Sequence, residues 1–194
     1  MIHRQNMKRM MIASLFLIIG CKEERKEAAV TQTEPEVKEN VVQETKPQEN
    51  ESEEAKKWLE KNIEDYFKSD LGNLDKNMQK MTTKDYYDYK TDAMNVDMDV
   101  DGSLTEKEFN DKWKGKFDTK KAGVGVGFLI AGQDWDKVQV TKCELISENG
   151  NNYLFDAVLN DKALKAVYPI KVKVMKENGT FLIADVLQDV PEFN

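Results

Sequence analysis

The stretch VQVTKCELISENGNNYLFDAVL, residues 138–159, decides the fold. Upstream of it, apolar residues recur every three or four positions. From Val138 onward they alternate, the spacing of a strand with one buried face. In the middle stands Asn149-Gly150-Asn151-Asn152, residues that accept the positive φ of a hairpin turn. Strands are therefore expected at 138–146 and 153–159. Toward the C-terminus, 164–175 and 181–187 alternate in the same way, parted by Asn178-Gly179, and Asn160-Asp161-Lys162 serves the middle connection. Four strands joined by such short turns predict an antiparallel meander.

Toward the N-terminus the period becomes helical. Ala55, Trp58, Leu59, Ile63, Tyr66 and Phe67 share one helix face, so the folded domain is expected over 54–194. Thr82-Thr83-Lys84-Asp85 reads as a helix start with a capping box, after which Tyr86, Tyr89, Ala93 and Val96 line one side. Thr105-Glu106-Lys107-Glu108 repeats the box and leads into Phe109, Trp113 and Phe117, all of which read as core. Helices first and strands afterwards give an α+β domain, its helices packed on a four- to five-stranded antiparallel curved sheet.

Between the second and third helical patterns lies DMDVDGSLTEKE, 97–108. It meets the EF-hand pattern D-x-[DN]-x-[DN]-G followed, five residues on, by Glu. Asp97, Asp99 and Asp101 offer side-chain oxygens, Gly102 the sharp bend, Ser103 a backbone carbonyl, Thr105 the ninth position and Glu108 a bidentate carboxylate. Leu104 is apolar, as the eighth place requires. Hard oxygen donors in this number suit Ca²⁺ better than Mg²⁺. The competing reading is a polar turn that opens a capped helix, with Glu108 as the partner of Thr105. No second loop of this kind occurs: Asp134-Trp135-Asp136 lacks the glycine and the closing Glu. A lone loop outside the cytoplasm is expected to bind on the order of 10⁻⁴–10⁻³ M and to act as a staple, not a signal.

The chain of 194 residues carries a formal charge of −7, with 34% charged residues. Its acidic balance without a basic cluster excludes nucleic acid as the expected partner. Residues 1–20 read as a signal segment: Arg4, Lys8 and Arg9 precede an apolar run over 10–19, which covers only about 15 Å as a helix. Met7 is an alternative start. Ile18-Ile19-Gly20-Cys21 resembles a bacterial lipobox, which implies cleavage between Gly20 and Cys21 and lipid on the Cys21 thiol. Two or three acyl chains, at about 0.8 kcal/mol per buried CH₂, hold a protein on a membrane. Lys22-Glu23-Glu24 looks like the acidic tag of surface lipoproteins of the Bacteroidetes, which places the chain at the outer membrane or cell surface, with the periplasmic face as the other option. Residues 22–53 lack aromatics and read as a solvated tether.

Cleavage there also removes His3, the single histidine. That excludes an imidazole base, a Ser-His-Asp triad and a His-ligated zinc site. Cys143 then has no partner for a disulfide and reads as a buried, inert thiol. Gly123-Val124-Gly125-Val126-Gly127 lacks the lysine and hydroxyl residue of a phosphate loop and reads as a bend into a strand.

The order of elements, with GFLIAGQDW (127–135) ahead of strands that end in FLIADV (181–186), resembles a bacterial family of cystatin/NTF2-like lipoproteins. The likeness covers about 54–194. It implies a curved sheet wrapped by helices, often with a concave pocket, and no common activity. Any other helix-plus-meander α+β domain is the alternative. The reading expected from these residues is a non-enzymatic, membrane-anchored lipoprotein with one structural Ca²⁺. The alternative is a pocket protein for a small molecule or glycan, with no metal.

Overall fold

The computed structural model describes residues 51–132 and 134–188. Four helices, α1 (Glu51–Lys68), α2 (Leu74–Met81), α3 (Lys84–Met94) and α4 (Glu106–Trp113), precede four strands. The strands are β1 (Val138–Asn149), β2 (Asn152–Asp161), β3 (Ala166–Glu177) and β4 (Thr180–Leu187). They form one sheet in the order β1-β2-β3-β4, every neighbour antiparallel. The α+β meander expected from the alternation is therefore present. The expected signal segment, the lipidated Cys21 and the tether up to residue 50 lie outside the described residues. The first helix starts at Glu51, three residues earlier than the expected domain boundary.

The turns follow from their residues. Gly150 has φ 56°, and Asn178 and Gly179 have φ 49° and 79°, the paired positive values of a tight hairpin turn. In the middle connection Asp161 does the work. Its Oδ1 accepts from the N–H of Ala163 (3.0 Å) and Leu164 (3.1 Å), while Oδ2 accepts from Asp136 (2.6 Å) and Lys137 (3.1 Å). One carboxylate thus ties the β2–β3 turn to the chain that enters β1.

Every second residue of β2, from Tyr153 through Phe155, Ala157 and Leu159 to Asp161, is buried. This face meets Ala55, Leu59, Ile63 and Phe67 of α1, the row that the helical spacing picked out. Each leucine, isoleucine or phenylalanine among them contributes about 1.5–3 kcal/mol by leaving water. Register shifts between Val140 and Lys142 and between Leu145 and Ser147 bulge β1, a device that bends a strand and blunts a sheet edge. At the other edge, Thr83 N–H donates to the Ile183 carbonyl of β4 at 2.8 Å, so the start of α3 is pinned to the sheet.

Two local features depart from the expected pattern. α2 has no counterpart in the sequence reading, because only Met78 and Met81 of its eight residues are buried and two positions do not establish a period. The third helical pattern stops at Trp113, and a further turn carries Phe117 back onto Tyr89. No helix among the described residues is long and apolar enough to cross a membrane.

Candidate metal loop

α3 and α4 flank residues 95–104, so the acidic stretch sits in a helix–loop–helix. Aromatic packing fixes the pair. Tyr89 of α3 stacks on Phe109 (5.4 Å between centroids) and Phe117 (4.2 Å), and meets Trp113 edge-on (5.6 Å). Asp92 adds a polar clasp: its Oδ2 accepts from Lys112 Nζ and from Trp113 Nε1, both at 2.7 Å. Both ends of the loop are therefore held by the core.

The loop backbone closes on itself. Asp97 N–H donates to the Leu104 carbonyl at 2.9 Å, and Ser103 N–H to that of Val100 at 3.1 Å. The Ser103 hydroxyl donates to the Asn95 carbonyl and accepts from Met98 N–H. Gly102, at the sixth place, has φ 85°, the bend for which a glycine is needed there. Asp97 is itself left-handed at φ 56°, which aspartate tolerates better than most residues. Asp97, Asp99, Ser103 and Thr105 line one shallow, open concavity. Met98 and Val100, the residues between the acids, line the same concavity and are each 52% exposed.

Glu108 is engaged elsewhere. Its Oε2 accepts from Thr105 N–H (2.9 Å) and from the Thr105 hydroxyl (2.8 Å), while Thr105 Oγ1 accepts from Glu108 N–H (3.3 Å). This is the complete capping box expected from T-E-K-E. The bonds to the Thr105 backbone and side chain hold the Glu108 carboxyl below its ordinary value. Asp101 and Glu108 do not line the concavity, and among the described residues no three acidic, thiol or imidazole side chains converge on a point. The donor chemistry and the bend at Gly102 fit a hard cation; the carboxylates stand apart in this arrangement.

The other stretches singled out in the sequence have structural partners. Trp135 packs edge-on against Phe67 (5.4 Å) and donates Nε1–H to the Phe67 carbonyl (3.2 Å), in the turn ahead of β1. Cys143 is buried, and that burial pushes its thiol up to about 12, so it is an unreactive group. The glycine-rich bend covers a residue that the sequence reading did not single out. Lys90 is fully buried, and its ammonium donates to the carbonyls of Ala122 (2.7 Å) and Gly123 (3.2 Å) and to Gln188 Oε1 (2.7 Å). Gly123 has φ 61°, and a Cβ there would lie 2.1 Å from Gln188 Oε1. The signal for Lys90 was its place on the Tyr86–Ala93 stripe, four residues after one and three before the other. No family model, curated protein or solved structure matches the chain.

Proposed function

We propose that this chain is an exported, non-enzymatic lipoprotein, anchored through Cys21, whose domain holds one structural Ca²⁺ in the loop 97–108. The observation that carries the metal reading is the coincidence of pattern and backbone. All five acid, glycine and closing-Glu places of the EF-hand pattern fall in a helix–loop–helix whose loop has the required left-handed bend at its sixth residue. Asp97, Asp99, Asp101, Ser103, Thr105 and Glu108 would hold the ion. It would draw these carboxylates together and brace the join between α3 and α4. The scaffold is read as cystatin/NTF2-like, supported by helices laid on one face of an antiparallel meander. The anchor rests on the basic head, the short apolar run and the small residue before Cys21. It places the protein at the outer membrane or cell surface, with the membrane as its partner through lipid.

Thermal melting of the full chain with rising CaCl₂ tests the metal site. A Tm that climbs and saturates over about 0.1–10 mM, with no matching effect of MgCl₂, is the expected result. An unchanged Tm at about 10 mM CaCl₂ rejects it. For the anchor, Cys21→Ser is expected to move the protein out of the membrane fraction, and retention there rejects lipidation at this residue.

A further inference from the structure

Away from the acidic loop, α1, α2 and the start of β4 enclose a half-open cleft of about 210 Å³. Trp58, Asn62 and Tyr66 face it in a row, spaced four residues apart along α1. The Phe181 ring, 6.1 Å from that of Trp58, forms the floor. Asn77 and Lys80 stand on the α2 wall, and Asp65 on the α1 rim. The result is an aromatic surface half open to water, ringed by groups that both donate and accept.

The tryptophans differ in a telling way. Trp113 and Trp135 spend their indole N–H on Asp92 Oδ2 and on the Phe67 carbonyl. Trp58 makes no such bond among the described residues, and its indole remains part of the cleft lining. Asn62 is oriented: its Nδ2 donates to the Trp58 carbonyl at 2.8 Å, which turns the amide oxygen away from that bond. Asp65 is paired with Lys61 and lies 3.9 Å from Lys68, so its negative charge is already matched.

We propose that this cleft binds one pyranose ring of a neutral glycan. A sugar ring has a flat C–H face to lay on an indole and hydroxyls that both give and take hydrogen bonds, which answers the mixed rim. A wholly apolar ligand would strip water from Asn62, Asn77 and Lys80 without replacing it, a net loss. An anion needs converging cations, and Lys80 is the one basic side chain among the lining residues. The volume fits one ring, so affinity is expected on the order of 1–10 mM for a single sugar.

The test uses the full chain in a detergent without a sugar headgroup, titrated with methyl glucoside, methyl galactoside, methyl N-acetylglucosaminide and methyl glucuronide. The readout is the NMR signal of the Trp58 indole N–H, assigned with Trp58→Phe. A saturable shift of that signal with at least one neutral glycoside supports the proposal. So does its weakening at least ten-fold when Asn77→Ala is combined with Lys80→Ala. These two changes on α2, one at an exposed and one at a half-buried position, avoid the packing loss that Trp58→Ala would bring. No saturable shift up to about 50 mM of any neutral glycoside overturns it. So does a shift indifferent to the α2 changes, or glucuronide binding ten-fold tighter than every neutral sugar.

Discussion

Lys90 Nζ lies 2.7 Å from Gln188 Oε1, a bond that joins α3 to the residue following β4 across 98 positions of sequence. The same ammonium donates to Ala122 and Gly123, so its three N–H groups meet three acceptors. Gln188 in turn donates Nε2–H to the Gly127 carbonyl at 3.2 Å, and its N–H reaches the Lys121 carbonyl at 3.1 Å. One buried charge therefore gathers a helix, the glycine-rich bend and the end of the sheet. Lys90→Met keeps the stem and removes the donors. It is expected to cost about 1–3 kcal/mol for each acceptor left dry, read as a drop in the urea midpoint at constant slope.

Burial lowers the Lys90 pKa to about 7, opposed by the nearby Asp185 carboxylate; Tyr86 and Tyr89 of the same helix also lie within that carboxylate's influence. In the unfolded chain the same amine titrates near 10.4. Between these values the unfolded state binds the proton and the folded state does not. Stability linked to Lys90 therefore rises with pH from about 7 toward 10, by at most about 1.4 kcal/mol per unit. Below 7 both states are protonated and the slope vanishes. The Tm of the native chain minus that of Lys90→Met, followed from pH 6 to 9.5, is expected to be flat and then to climb. A difference that stays level throughout rejects the assignment.

The glycines of the bend separate two causes of strain. Gly123 and Gly125 both have positive φ, 61° and 69°, but a Cβ at 125 meets nothing within 4 Å. Gly125→Ala is expected to cost about 1 kcal/mol from backbone conformation alone. Gly123→Ala must in addition push the Gln188 amide off Lys90, and a loss about 2 kcal/mol larger is expected. Equal losses in denaturation would show that the node yields freely.

The sequence carried the sheet well because its signals are local. Asn178-Gly179 needs no tertiary information to predict a turn, and Tyr153-x-Phe155-x-Ala157-x-Leu159 alternates without a break. It carried Lys90 poorly, since a lysine on a helix stripe is ordinarily solvated and its acceptors come from 32, 33 and 98 residues away. At the candidate site, residue types and spacing were legible, as was the bend at Gly102. Side-chain direction was not. Thr105 and Glu108 satisfy a capping box and an EF-hand pattern with the same letters, and a one-dimensional pattern has no means of choosing between them.

Asp161 is one buried contributor to the acid limb. Burial alone would raise its pKa, but bonds from the N–H groups of Asp136, Leu164, Ala163 and Lys137 outweigh that and hold it below the ordinary value. A carboxyl depressed in the folded state stabilises at pH above its unfolded value, near 3.9, and loses that contribution as pH falls through the folded one. Asp161→Asn removes this proton linkage. Its acid-unfolding curve is expected to start from a lower Tm at pH 7 and to converge on the native curve at low pH. Parallel curves over the whole range would contradict the role.

The double meaning of Thr105 and Glu108 can be resolved by two substitutions. Thr105→Ala breaks the cap and is expected to cost about 1 kcal/mol without calcium. It removes the hydroxyl bond to the Glu108 carboxylate, keeps the one from the backbone N–H, and takes from the ion a ninth-place oxygen that water often replaces, so a rise in Tm with CaCl₂ should persist at reduced size. Glu108→Gln does the reverse: glutamine can still accept from Thr105 N–H, as capping boxes allow, but it brings no charge to an ion. Its melt without calcium should stay within a few tenths of a kcal/mol of the native chain. At 10 mM CaCl₂ a site of about 1 mM affinity adds about 1.4 kcal/mol to the native chain, and Glu108→Gln should lose most of that gain. If Glu108→Gln responds to calcium as the native chain does while Thr105→Ala is destabilised, Glu108 serves the helix alone and the twelfth-place ligand is not in use.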